Sequence, residues 1–167
     1  MQPIIDHIDI TVEDLERAEK FYDKLLPLLG FDISAKEYTE VPEHEYKIVE
    51  YHNKNMSIGF VNRREAYKNE KLSRRKAGAL HHLAFRAGSP EEVDLLYGKI
   101  KDLPTVIVHP PKYYPEYCSD YYAFFFKDSE GIEYEIVNFD RKKYFPLNGA
   151  LPLPERTIWF LFTVVPE

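Results

Sequence analysis

The sequence HIDITV at residues 7–12 has a counterpart, HLAFRA, at residues 82–87. In both stretches apolar and polar residues alternate, which is the period-two pattern of a strand with one buried face. A helix signal follows each stretch, because Asp14 and Ser89 are favoured N-cap residues and apolar residues then recur at helical spacing. The strands and the caps keep the same offset of 75 residues. The chain therefore contains an internal repeat that opens with a strand and a helix.

Each helix signal is followed by further strand patterns. Alternating stretches at 46–51 and 56–61 flank a short polar turn, and stretches at 121–126 and 132–137 do the same in the second half. Such pairs are typical of β-hairpins. The repeat therefore predicts an α+β fold with tandem βαβββ modules. We expect them to form a cupped, partly closed mixed sheet with the helices outside.

The domain organisation follows from this repeat. A chain of 167 residues fits one domain, since domains commonly have ~100–200 residues. We expect a single domain over 1–139, with modules at about 3–62 and 79–139 and a charged linker at 63–78. Residues 140–167 form a C-terminal extension outside the repeat, to which we assign no function.

The composition excludes several classes of protein. The chain has 22 basic and 28 acidic residues, a formal net charge of −6, which argues against a nucleic-acid or anionic-membrane binder. Cys118 is the only cysteine, so the sequence excludes an internal disulfide framework and fits a reducing compartment. Residues 1–7 lack the basic and apolar regions of a secretion signal. We expect a cytoplasmic protein without nucleic-acid or membrane partners.

Taken together, the motifs resemble the vicinal oxygen chelate superfamily, which includes glyoxalase I, extradiol dioxygenases, fosfomycin-resistance proteins and bleomycin-resistance binders. The resemblance covers about residues 4–139. It is carried by Asp6-His7 with residues 12–22, then by residues 80–85, and then by residues 128–136. It implies a cup-shaped site for a small-molecule substrate, and related proteins close this cup either within one chain or across a homodimer.

The resemblance also implies a set of metal ligands. The ligands of the superfamily lie in the first and last strands of each module, and the matching positions here are His7, His82 and Glu135. Two imidazoles and a carboxylate suit divalent Fe, Mn, Ni or Zn and leave positions open for substrate. The first-module counterpart of Glu135 is Gly59, so we expect an open gap there. Alternatively, these histidines are hydrogen-bonded rim residues and Glu135 is a solvated strand position.

Three chemistries are compatible with these residues. An extradiol-type ferrous dioxygenase uses the same kind of ligand set, but Phe125 stands where the resemblance implies a tyrosine, and residues 117–126 contain no histidine. A glyoxalase-like lyase uses the metal to stabilise an oxyanion, with Glu135 and Glu133 as candidate catalytic carboxylates. The third possibility is a metal-free small-molecule binding protein of the bleomycin-resistance type.

Aromatic residues crowd the stretch from 113 to 126, and flat rings suit a planar or apolar ligand. We assign substrate binding to Tyr122 and Phe124, with packing beneath the helices as the alternative. Arg86 is a candidate partner for an anionic group of the substrate, unless an acidic residue of the chain binds it. We expect His81 to be structural. The remaining histidines are predicted to lie in exposed loops or turns: His44, His52 and His109.

Overall fold

The computed structural model describes residues 4–71 and 73–145. The strands are β1 (His7–Val12), β2 (Asp32–Val41), β3 (Tyr46–His52), β4 (Ser57–Asn62), β5 (Leu83–Arg86), β6 (Val106–Tyr113), β7 (Tyr122–Lys127) and β8 (Glu133–Asn138). The helices are α1 (Leu15–Leu25), α2 (Pro90–Ile100) and the short α3 (Arg141–Tyr144), with 3₁₀ turns at Leu26–Leu29, Pro42–His44 and Glu65–Tyr67. In this described part of the chain, no helix has the length and apolar character needed to cross a membrane.

The strands form two mixed sheets with the same topology. Their orders are β1-β4-β3-β2 and β5-β8-β7-β6. In each sheet the first strand of the module runs parallel to the last one, while the other neighbours are antiparallel. The predicted α+β fold of two βαβββ modules is therefore confirmed.

Both long helices begin at the predicted caps. The Asp14 side chain accepts a hydrogen bond from the backbone N–H of Arg17 at 3.0 Å, and Ser89 accepts one from Glu92 at 3.2 Å. These bonds satisfy N–H groups that have no partner within the first turn of a helix. Gly30 ends the 3₁₀ turn after α1 at a φ of 85°, a left-handed conformation that favours glycine.

The sides of the sheets that face the helices share one hydrophobic core. Tyr22 of α1 lies at the join between the modules, where its ring stacks on Phe60 with the centroids 3.6 Å apart. Its hydroxyl contacts Asp128 and lies 2.7 Å from the hydroxyl of Tyr134, both in the second module. Burial raises the pKa of Asp128 to about 6. The helix sides of both sheets are thus packed into this core, and the opposite faces of the sheets lie outside it.

Glu130 ties the two modules together. Its carboxylate accepts hydrogen bonds from the backbone N–H groups of Glu13 and Asp14 at 2.9 and 3.1 Å. It also accepts one from Nε of Arg17 at 2.6 Å, with only 1% of the Glu130 side chain exposed. An acidic group in this position also complements the positive end of the α1 dipole.

Replacing Glu130 with alanine is expected to lower the free energy of unfolding by about 3 kcal/mol, because it leaves two backbone donors without their acceptor and leaves Arg17 paired with Glu13 alone among the described residues. Urea denaturation of the purified protein measures this loss. Arg17→Ala is the matched control and should cost less than half as much, since both backbone bonds to Glu130 remain. If both variants lose the same free energy of unfolding, the two backbone hydrogen bonds are not the main contribution of Glu130 to stability.

Candidate functional site

Each sheet presents a polar face on the side away from the helices, since successive strand residues point to opposite sides. We define the first polar face by His7, Asp9, Tyr46, Glu50 and Ser57, which all line one cavity. We define the second polar face by His82, Tyr121, Phe125, Glu133 and Glu135, which lie on or beside β5, β7 and β8.

Glu135 is the central residue of the second polar face. It lies in β8, and the residue is only 3% exposed. One of its carboxylate oxygens accepts a hydrogen bond from the Tyr121 hydroxyl at 2.6 Å, and the other lies 3.4 Å from Nε2 of His82. This contact with Glu135 raises the pKa of His82, although burial opposes the shift. A histidine and a carboxylate held together in this way can both bind a divalent cation.

Glu133 lies two residues before Glu135 on the same side of β8. Its side chain is 7% exposed and forms an ion pair with Arg74, which belongs to the linker between the modules. The linker thus contributes a positive charge to the second polar face. The assignment of Glu133 as a catalytic carboxylate stays a prediction.

His7 lies on the first polar face, where its side chain is 59% exposed. Nδ1 of His7 lies 3.0 Å from the Asp6 carboxylate. This hydrogen bond, together with the charges of Asp9 and Glu50, raises the pKa of His7. The same acidic residues line a cavity of about 250 Å³ with Tyr46. The near neighbours of His7 are therefore acidic groups of its own module.

The three predicted metal ligands are not assembled within one chain. His82 and Glu135 lie together, whereas His7 lies on the other sheet. Within residues 4–71 and 73–145, no group of three His, Cys, Asp or Glu side chains could hold a metal ion. The packing of the helix sides into a common core accounts for this separation, because it turns the polar faces outward. One chain thus supplies two of the predicted ligands at one place and the third elsewhere.

The structure supports the equivalence of Gly59 and Glu135 but not the open gap. In the first sheet Gly59 pairs with Asp9 and Glu50, and in the second sheet Glu135 occupies the same place between β5 and β7. However, a Cβ atom added to Gly59 would collide with the carboxylate of Asp9 and with the side chain of Ile48. The expected gap beside Gly59 is therefore wrong, because Asp9 and Ile48 fill it.

Two of the predicted substrate residues lie on the helix side of β7. Phe124 is 0% exposed and belongs to the core shared by the helices. The Tyr122 hydroxyl donates a hydrogen bond to Asp94 of α2 at 2.8 Å. Assigning these two residues to a ligand cup was wrong, because Phe125 is the β7 residue that pairs with Glu135 and shares its face.

Arg86 does lie on the side of β5 away from the core. Its guanidinium donates a hydrogen bond to the backbone carbonyl of Phe139 at 3.3 Å and lies 5.9 Å from the centre of that ring. Arg86 is exposed, and its role in binding an anionic group stays a prediction.

Sequence reasoning missed other residues near Glu135. His109 lies half-buried in β6, paired with Phe125 at a ring distance of 6.0 Å, so its placement in an exposed loop was wrong. The predicted loop position of His52 was wrong too, because His52 lies in β3 with Nδ1 2.7 Å from Oγ of Ser57. His44 is exposed as predicted. Counting strand positions outward from Glu135 would have identified Phe125 and Tyr121.

The comparisons with known proteins agree with this architecture. The profile of the Glyoxalase/Bleomycin resistance protein/Dioxygenase superfamily matches residues 4–136. No protein with a curated description matches the chain by sequence.

Solved structures with the same fold include a candidate glyoxalase from Bacillus halodurans, which is 29% identical over 83% of this chain and 97% of its own, with a TM-score of 0.64. A glyoxylase/bleomycin resistance protein/dioxygenase domain from Frankia sp. is 16% identical over 83% and 98% of the two chains, with a TM-score of 0.66. The fosfomycin resistance protein FosX from Listeria monocytogenes is 16% identical over 84% and 94%, with a TM-score of 0.56. The family match over residues 4–136, together with the two βαβββ modules, places the chain in the glyoxalase/bleomycin resistance protein/dioxygenase superfamily.

Proposed function

We propose that the protein is a divalent-metal-dependent enzyme of the glyoxalase/dioxygenase type, with lyase- or oxygenase-like activity on a small oxygen-chelating substrate. The observation that carries this proposal is the contact between buried Glu135 and His82 at 3.4 Å. A buried carboxylate is costly unless it is paired or coordinates a metal. An imidazole and a carboxylate are suitable donors for Zn²⁺, Fe²⁺, Mn²⁺ or Ni²⁺.

The third ligand in this proposal is His7 of a second copy of the chain. β1 and β5 are outermost strands of their sheets, and His7 is more than half exposed. A symmetric homodimer that lays the first polar face of one subunit against the second polar face of the other would bring His7 to His82 and Glu135. Such a dimer would contain two identical sites, because a two-fold axis repeats each contact.

The metal and the residues around Glu135 have different roles in the proposed site. The bound metal would act as a Lewis acid that stabilises negative charge on a substrate oxygen. The Tyr121 hydroxyl fixes one oxygen of Glu135 and leaves the other facing His82. Glu133 is proposed as a second carboxylate on the same face, held in place by Arg74.

A metal-free binding protein is the second candidate. It is favoured by one observation, namely that only two of the predicted ligands meet in a single chain. In that case the aromatic second polar face would bind its ligand without any reaction.

Elemental analysis of wild-type protein purified without a chelator separates these candidates. We expect close to one divalent ion per chain in the homodimer. If the purified protein contains no metal and also fails to bind added Fe²⁺, Mn²⁺, Ni²⁺ and Zn²⁺, the enzyme proposal is wrong. The metal-free binding protein would then be the supported function. The same sample, analysed by sedimentation, should be dimeric.

A further inference from the structure

The loop between β6 and β7 covers part of the second polar face with tyrosine side chains. Backbone hydrogen bonds close this loop, from Tyr114 N–H to the carbonyl of Tyr121 at 2.8 Å and from Tyr117 N–H to the carbonyl of Tyr114 at 3.0 Å. A third one runs from Tyr121 N–H to the carbonyl of Cys118 at 3.1 Å. The loop therefore holds its side chains in fixed positions over the sheet.

Tyr114 is the deeply buried tyrosine of this loop, with 5% of the residue exposed. Its ring stacks on Tyr117 with the centroids 5.7 Å apart and meets Phe125 edge-on at 5.5 Å. Tyr121 contacts the same ring edge-on at 6.3 Å. These contacts hold the Tyr114 ring against the aromatic residues of the second polar face.

The Tyr114 hydroxyl is buried, and no group within residues 4–71 and 73–145 forms a hydrogen bond with it. The neighbouring Tyr121 differs, since its hydroxyl donates to Glu135. Buried polar groups in folded proteins nearly always have a partner, so one without a partner in the folded chain calls for an explanation. A ligand with an oxygen acceptor would supply that partner.

The Tyr114 hydroxyl is an uncharged hydrogen-bond donor at neutral pH. Burial raises the pKa of Tyr114, and the ionisable groups of Tyr117 and Glu135 add to this shift. The hydroxyl therefore keeps its proton at neutral pH and can donate it in a hydrogen bond. Phe125, on which the Tyr114 ring packs, is also the strand partner of Glu135.

We infer that Tyr114 is a specificity-determining residue, whose hydroxyl donates a hydrogen bond to an oxyanion or carbonyl oxygen of the ligand bound beside Glu135. The rings of Tyr114, Tyr121 and Phe125 contact one another next to Glu135, so the ligand class is a small oxygen-bearing compound with a flat, apolar part. The inference rests on the proposed function only for the location of the site at Glu135.

The test compares wild-type protein with Tyr114→Phe, and uses benzohydroxamic acid as a flat probe with two adjacent oxygens. Calorimetric titrations are run on the zinc-loaded protein and on protein treated with EDTA. We expect Tyr114→Phe to keep the wild-type zinc content and to weaken probe binding about tenfold, as the loss of one hydrogen bond predicts. Tyr117→Phe is the matched control, since Tyr117 lies in the same loop but is 43% exposed, and its probe affinity should stay within about twofold of wild type.

Thermal unfolding gives a readout that is independent of the ligand. Because the hydroxyl has no partner among the residues that the structure describes, the melting temperature of Tyr114→Phe should equal or exceed that of wild type. A fall of several degrees would show that the hydroxyl is bonded within the fold and would overturn the inference. Unchanged probe affinity in Tyr114→Phe would overturn it too, as would a wild-type protein that binds no probe in either state. If zinc does not bind, the metal proposal fails, and the EDTA titrations alone decide the role of Tyr114.

Discussion

Replacing His82 with alanine is expected to weaken divalent-metal binding by at least about 100-fold, since changes to residues that only support a ligand already cost ~10–100-fold. His82 and Glu135 are the two predicted ligands that meet in one chain. Without the imidazole, the hydrogen bond from Tyr121 is the side-chain contact that Glu135 retains among the described residues. The measurement is a competition titration with a chromophoric zinc chelator, supported by the metal content of the purified variant.

His44→Ala is the matched control for this experiment, because His44 is an exposed histidine in a turn after β2. It should bind metal like wild type. His82→Ala should still fold, since His82 is only partly buried, with 36% of its side chain exposed. A His82→Ala protein that keeps its fold and its full metal content would remove His82 from the ligand set.

The fold was predictable from the sequence because its signals are local and occur twice. Asp14 and Ser89 both cap a helix, as their side chains and the following apolar spacing indicate. The equivalence of Gly59 and Glu135 was also predictable, since the strand period of two fixes which residues share a face once the strands are aligned. Both positions hold the same place in the register of their sheets.

The orientation of β7 was not predictable from its own sequence. Phe124 and Phe126 point to the core, while Phe125 between them points to the second polar face. Because aromatic residues occupy both sides of this strand, no alternation distinguishes the buried side from the ligand side. The register with Glu135 supplies the missing information, and it depends on a pairing that the sequence of β7 does not encode.

The separation of His7 from His82 was unpredictable for a different reason. It depends on contacts between modules, such as those of Tyr22 with Tyr134 and of Glu130 with the start of α1. These pairs are more than 100 residues apart in the chain. A repeat in the sequence defines each module but not how the two modules pack.

A mixing experiment therefore tests directly whether two chains share the site. His7→Ala and His82→Ala should each bind little metal alone. A heterodimer of the two contains one complete site, made from the intact His7 of one subunit and the intact His82 and Glu135 of the other. Its second site lacks both histidines. We expect the isolated heterodimer, purified through two different affinity tags, to bind about half a metal ion per chain, because one of its two symmetry-related sites is restored.

The control heterodimer combines His82→Ala with Glu135→Gln. These two residues lie on the same second polar face, so each site of that heterodimer keeps one defect and no metal binding should return. If the site were completed within one chain, the first heterodimer would bind no metal either, because neither of its subunits carries an intact ligand set. If metal binding returns in the first heterodimer but not in the control heterodimer, His7 must bind the metal together with residues of the other subunit. If neither heterodimer binds metal, the site is not shared between subunits. If both heterodimers bind metal, His82 and Glu135 are not joint ligands of one metal ion.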